Sequence, residues 1–75
     1  MDLIMEQIGD IAEGYVLLEW LFKEGDVVTK GATLCVIELG KATVDIESPK
    51  SGILHEIAVK PGQDLSAGDL LCKIM

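Results

Sequence analysis

The chain has 75 residues, 49% of them apolar, with six lysines, no arginine and thirteen Asp and Glu, for a net charge of −7. That length leaves room for one small domain, and the acidity without arginine argues against nucleic acid, which needs clustered cations. No apolar run approaches the roughly 18 residues that span a bilayer, and Asp2 and Glu6 interrupt the N-terminus, so neither a membrane partner nor a secretory leader is expected.

Residues 3–6 read as a first strand, and residues 9–14 as a loop bounded by glycines. Residues 15–23 alternate, which puts Val16, Leu18, Trp20 and Phe22 on one face. Lys23-Glu24-Gly25-Asp26 is a turn. Residues 33–39 and 42–47 form two strands, the second with Ala42, Val44 and Ile46 toward the core and Thr43, Asp45 and Glu47 toward water. Pro49-Lys50-Ser51-Gly52 turns the chain. Residues 53–60 alternate again until Pro61-Gly62-Gln63, and residues 70–74 close the chain. No stretch carries a helical period. Short, regularly spaced strands with turn signals predict an all-β fold, a sandwich or barrel.

The two halves of the sequence overlay at an offset of 37 residues. Lys23 falls on Lys60, Gly25 on Gly62, Gly31 on Gly68, Leu34 on Leu71, Cys35 on Cys72 and Ile37 on Ile74. The overlay predicts two similar half-domains packed face to face about an approximate twofold, a flattened barrel-sandwich of two small antiparallel sheets. The expected core is Val16, Leu18, Trp20, Leu34, Val44, Ile46, Ile53, Ile57 and Leu71. Two cysteines at equivalent apolar places are core residues and no disulfide framework, which favours a reducing, intracellular setting. His55, the single histidine, overlays Leu18 and is expected to be partly buried. It has neither zinc-ligand company nor a nucleophile arranged around it.

Between the strands 33–39 and 42–47 stands Gly40-Lys41. A glycine at the first central position suits a type II′ turn, where φ is positive. Lys41 then occupies the outermost point of a hairpin, where an exposed ammonium contributes little to stability.

The surrounding motifs give that lysine a meaning. Glu38-Leu39-Gly40-Lys41-Ala42, the strand Thr43-Val44-Asp45-Ile46-Glu47, and Ser48-Pro49-Lys50-Ser51-Gly52 stand in one order and spacing. So do Glu13-Gly14, Trp20, Lys23-Glu24-Gly25-Asp26 with Val28, and Gly31 with Leu34. Val59-Lys60 with Gly62, and Gly68 with Leu71, follow downstream. Across essentially all 75 residues the chain resembles the biotinyl/lipoyl carrier family, most closely its lipoyl branch. Family members often carry an acidic residue where Gly40 stands. Biotin carriers usually flank their lysine with methionine, and neither Gly40 nor Ala42 is one.

The resemblance implies a single carrier domain over residues 1–75, without catalysis of its own, and lipoic acid covalently attached at Lys41, with Gly40 and Ala42 completing the hairpin tip. The alternatives are a biotin carboxyl carrier and an unmodified barrel-sandwich interaction module. It implies as partners a lipoate ligase or lipoyl transferase, a thiamine-dependent 2-oxo-acid dehydrogenase, an acyltransferase core and a flavin-dependent dihydrolipoamide dehydrogenase. Such a domain, of the dihydrolipoamide acyltransferase type, would serve a 2-oxo-acid dehydrogenase complex in the cytoplasm or, in a eukaryote, the mitochondrial matrix. The loop 9–14 would lie beside the hairpin and help partners select the domain.

Overall fold

The computed structural model describes residues 1–7 and 13–75. Eight strands follow in order: β1 Asp2–Ile4, β2 Glu13–Trp20, β3 Val27–Val28, β4 Thr33–Leu39, β5 Ala42–Glu47, β6 Gly52–Ile57, β7 Asp64–Ser66 and β8 Leu70–Ile74. No helix occurs among the described residues. The strands make two antiparallel four-stranded sheets, ordered β1-β8-β6-β3 and β5-β4-β2-β7. These sheets do not close into a true barrel. β3 and β7, at one edge of each sheet, are too short to show an alternation, and the sequence reading missed them. The expected loop over residues 9–14 lies mostly outside the described residues.

The repeat is written into the strand registers. Leu17 pairs with Ile37, Glu19 with Val36 and Trp20 with Cys35; 37 residues on, Leu54 pairs with Ile74, Glu56 with Lys73 and Ile57 with Cys72. β3 on β6 (Val27 with Ile53) matches β7 on β2 (Asp64 with Val16) at the same offset. The turns repeat as well. Gly25 N–H donates to the Leu54 carbonyl and Gly62 N–H to the Leu17 carbonyl, both at 2.7 Å. Each half thus pins the other half's central strand, which gives the two sheets their pseudo-twofold relation.

Both central strands carry a bulge, and the bulges correct the expected core. Register shifts occur between Leu17 and Glu19 and between Leu54 and Glu56. A bulge inserts one residue and reverses the faces beyond it. The inner positions of β2 are therefore Tyr15 and Leu17, both fully buried, followed by Trp20. A strict alternation from Val16 had placed Leu18 inward; Leu18 sits at the bulge and is 39% exposed. Ile53 is 47% exposed for the same reason, with Leu54 buried in its place. His55, at the second bulge, is exposed where partial burial was expected. Leu34 and Leu71 are buried as expected, and Trp20, Val44, Ile46 and Ile57 are half-buried; Val16, expected in the core, lies half-buried on the outer face, paired with Glu38 and Asp64.

The core falls into two clusters. One gathers Met5, Tyr15, Leu17, Cys35, Ile37, Val59, Leu65 and Leu71; the other gathers Val28, Leu34, Leu54, Cys72 and Ile74. Trp20 and Leu3 pack against both. Trp20 also ties the halves directly, its Nε1 donating to the Val59 carbonyl at 3.0 Å. The copies differ sharply at one inner position, where Tyr15 of the first half is Gly52 of the second. A Cβ on Gly52 would run into the Met75 carbonyl oxygen, so the second half has no room for a side chain there.

Candidate functional site

The β4–β5 ladder is the longest tongue in the molecule. It runs through six pairs from Thr33–Glu47 to Leu39–Ala42 and is closed by the two residues Gly40 and Lys41. Gly40 has φ of +61°, and no described residue other than glycine has positive φ. Positive φ at the first central position alone is the type II′ pattern, whose twist matches the flanking strands. A Cβ on Gly40 would meet nothing within 4 Å, so conformation and not space selects glycine here.

Gly40, Lys41, Ala42 and Thr43 are all exposed, and Leu39 is half-buried. Ala42 was expected to face the core. It pairs with Leu39 at the last rung of the ladder and is exposed instead. Thr43, Asp45 and Glu47 face water as their alternation required, with Val44 and Ile46 half-buried between them.

The other five lysines sit in different surroundings. Lys23 and Lys60 stand at equivalent turns, their backbone N–H groups donating to Asp26 Oδ2 at 2.8 Å and Gln63 Oε1 at 3.2 Å. Lys30 N–H donates to Ser51 Oγ at 3.0 Å. Lys50 is half-buried and its carbonyl accepts from Ser48 Oγ at 2.6 Å. Lys73 lies within β8, flanked across the strands by Asp2 and Glu56. Lys41 alone occupies the tip of a two-residue hairpin.

Few other groups offer chemistry. Cys35 and Cys72 are free thiols, both fully buried. Burial pushes the Cys35 thiol up to about 12, with the neighbouring Cys72 adding to the rise, and burial pushes Cys72 up to about 11. Neither is a thiolate near neutral pH, so neither is a ready nucleophile. Among the described residues no group of three or more His, Cys, Asp or Glu could hold a metal ion. No helix among them is long and apolar enough to cross a membrane. The selector role expected of the loop 9–14 falls largely outside the described residues.

The sequence reading placed Asp45 and Glu47 toward water beside the tip; the pairing adds Glu19, Glu38 and Asp64 to the same outer face of the β5-β4-β2-β7 sheet. Directly opposed residues on neighbouring strands share a face. Asp64 pairs with Val16, Val16 with Glu38, and Glu38 with Thr43; beside this row Glu19 pairs with Val36 and Val36 with Asp45. The signal lay in the pairing of distant strands, which a single chain read in order does not display.

Comparison with known proteins agrees with this architecture. The family model Biotin_lipoyl, described as biotin-requiring enzyme, matches residues 2–74. The chain is 42% identical over 60 residues to the mitochondrial dihydrolipoyllysine-residue acetyltransferase component of the pyruvate dehydrogenase complex of Caenorhabditis elegans, covering 79% of this chain and 12% of that protein. It is 33% identical over 73 residues to the corresponding component from Pseudomonas aeruginosa, covering 97% of this chain and 13% of that protein. The chain thus spans about an eighth of the length of these relatives. Among solved structures, the lipoyl domain of the 2-oxoglutarate dehydrogenase complex from Azotobacter vinelandii superposes with a TM-score of 0.81 at 24% identity, over 99% of this chain and 94% of that one. A multi-domain long-chain acyl-CoA carboxylase matches with a TM-score of 0.73 at 27% identity, over 84% of this chain and 7% of that one. With the family model matched over nearly its whole length, the chain belongs to the biotin/lipoyl family.

Proposed function

We propose that residues 1–75 form one carrier domain, that Lys41 is its attachment point for lipoic acid, and that the attached arm shuttles acyl groups and reducing equivalents within a 2-oxo-acid dehydrogenase complex. The observation that carries this reading is the exposed Lys41 at the end of a rigid type II′ hairpin, in a family of lysine-attached carriers. The acetyltransferase relatives, named for a dihydrolipoyllysine residue, favour lipoate over biotin.

The hairpin fits the group. Acylation needs a neutral primary amine in reach of an activated carboxyl, and Lys41 is exposed at the tip. The amine forms the amide bond, loses a proton, and the activating group leaves with the carboxyl's bonding pair. Gly40 holds the turn, and the six-pair ladder keeps the attachment point at a fixed place on the domain. When attached, the lipoyl group supplies a dithiolane ring that takes up an acyl group and electrons. The chain supplies the tether, which raises the ring's effective concentration at each active site it reaches. The domain is a substrate of its partners and not a catalyst.

The partners this reading assigns are a lipoate ligase or lipoyl transferase for loading, a thiamine-dependent dehydrogenase that acylates the ring, an acyltransferase core and a flavin-dependent dihydrolipoamide dehydrogenase. The buried free thiols accord with a reducing compartment, the cytoplasm or the mitochondrial matrix. Biotin is the second reading, favoured by the carboxylase neighbour and by the family description. Intact mass and peptide mapping of protein isolated from its native cells separate them. A lipoyl adduct on Lys41 is expected. A biotinyl adduct replaces the reading with the second one, and an adduct on another lysine rejects the site.

A further inference from the structure

The pseudo-twofold gives each outer position of one sheet a counterpart in the other. In the sheet that carries Lys41, one outer row reads Asp64, Val16, Glu38. Its counterparts in the β1-β8-β6-β3 sheet are Val27, Ile53 and Met75. Val27 pairs with Ile53, and Ile53 exchanges backbone hydrogen bonds with Met75 at 3.0 and 2.9 Å. A row with two carboxylates in one half is wholly apolar in the other. Val27 is 73% and Met75 67% exposed, the highest values among the exposed large hydrophobics, and Ile53 lies between them. A contiguous exposed apolar row of this kind marks an interaction surface.

The neighbouring row indicates the partner. It reads Glu56, Lys73, Asp2, a cation between two carboxylates. Such an order is complementary to itself. A twofold axis parallel to the strands and midway between β6 and β8 lays Lys73 over Glu56 of a second copy, because these two residues pair across β6 and β8. The same axis lays Ile53 over Met75 of that copy. Each contact then occurs twice, as an isologous interface requires. Apolar residues meet apolar ones, and the cation meets a carboxylate. The opposite face does not fit itself in this way. Its rows hold Glu19, Glu38, Asp45 and Asp64 and no cation, so a second copy there meets its own charges.

We infer that the outer face of the β1-β8-β6-β3 sheet binds a second copy of this chain, sheet against sheet. Ile53 and Met75 stand at the centre, Val27 at the flank, and Lys73–Glu56 pairs beside them. The molecule measures 31 × 19 × 18 Å, so one sheet face offers a few hundred Å² per copy. The total falls short of the roughly 1,200 Å² at which stable interfaces begin, so the association is weak, with a dissociation constant on the order of 0.1–1 mM. Each copy carries a net charge of −7. That charge repels at long range and salt screens it, whereas the apolar contact is left intact. The dimer therefore tightens as salt is added, the reverse of what binding to a basic partner does. Lys41 belongs to the other sheet, so both hairpins face outward and stay free for attachment. The inference goes beyond the carrier reading and does not depend on it.

The test is a dilution series of the unmodified 15N-labelled chain from about 2 mM to about 50 µM, read by NMR amide shifts and translational diffusion. At high concentration, shifts are expected at residues 53, 56, 73 and 75, with diffusion slowed toward that of a dimer. Raising salt from about 20 to about 300 mM should tighten the association several-fold. Met75→Glu, which gives this position the side chain of its counterpart Glu38, should weaken association roughly tenfold. Thr43→Glu adds the same charge at an exposed place on the opposite sheet and should stay close to the parent. Lys73→Glu should also weaken association, and Glu56→Lys in the same chain should restore it. Circular dichroism spectra matching the parent establish that the variants are folded. Monomer diffusion at every concentration, or shifts centred on the Lys41 sheet, would overturn the proposal. So would equal weakening by Met75→Glu and Thr43→Glu, no restoration by the charge exchange, or loosening by salt.

Discussion

The β4–β5 pair of one sheet and the β8–β1 pair of the other occupy equivalent places. In the first, Gly40 and Lys41 close the strands into a continuous hairpin. In the second, Met1 lies against Ile74, the Met1 ammonium donating to the Ile74 carbonyl at 2.8 Å. The ladders share their registers, and what lies at their ends differs: a closed, exposed lysine tip on one and paired terminal residues on the other. The duplicated parts account for the fold, and a part that breaks the duplication carries the candidate chemistry. The tip is that part; the exchange of Tyr15 for Gly52 is a difference of packing.

Experiments can break that comparison. The largest effect is expected at Trp20, which packs against both core clusters while its counterpart Ile57 packs against one. Trp20→Ala should cost about 3–5 kcal/mol in urea unfolding, and Trp20→Phe, which keeps much of the packing but loses the bond to the Val59 carbonyl, about 1 kcal/mol. A Trp20→Ala protein that melts like the parent would show that the residue does not bridge the halves.

Leu17 and Leu54 are equivalent and both fully buried. Leu17→Ala and Leu54→Ala should each cost about 2–5 kcal/mol and differ little from one another. A large difference would mean that the halves are unequal partners in the core. Gly52→Ala should cost about 1–3 kcal/mol by overpacking against the Met75 carbonyl. A neutral outcome would show that the end of β8 gives way easily.

The paired thiols predict the response to alkali. Both folded-state values lie above the ordinary 9.0, so the native protein holds these protons more tightly than the unfolded chain does. Their contribution is complete below about pH 9 and is lost as pH rises through about 11 for Cys72 and about 12 for Cys35. Urea midpoints should hold steady from neutral to mildly alkaline pH and fall beyond it. Iodoacetamide should label both thiols slowly in native protein and quickly in urea. Rapid labelling of the folded protein would show that the thiols are not enclosed.

Much of this was legible in the residues. The 37-residue repeat announced two similar halves because turn glycines and inner aliphatics recur at one spacing. Gly40-Lys41 announced its turn because only positive φ explains a glycine there so economically. The faces of β2 and β6 were not legible. A bulge leaves no mark in an alternation of apolar residues, so Leu18 and Ile53 were placed inward and Tyr15, Leu17 and Leu54 were passed over. β3 and β7 were too short for any period. The acidic face was hidden for another reason: Asp64 and Glu38 meet through Val16 only after the strands pair.

The central claim is that the tip lysine is the attachment point, and one measurement addresses it. Parent and Lys41→Arg are incubated with lipoate ligase, ATP and lipoate, and their intact masses compared. Arginine keeps the charge but removes the primary amine, and an exposed tip charge adds little to stability, so both proteins should melt alike. The account predicts that the parent gains one lipoyl group and the variant none. A variant that still gains one would contradict it.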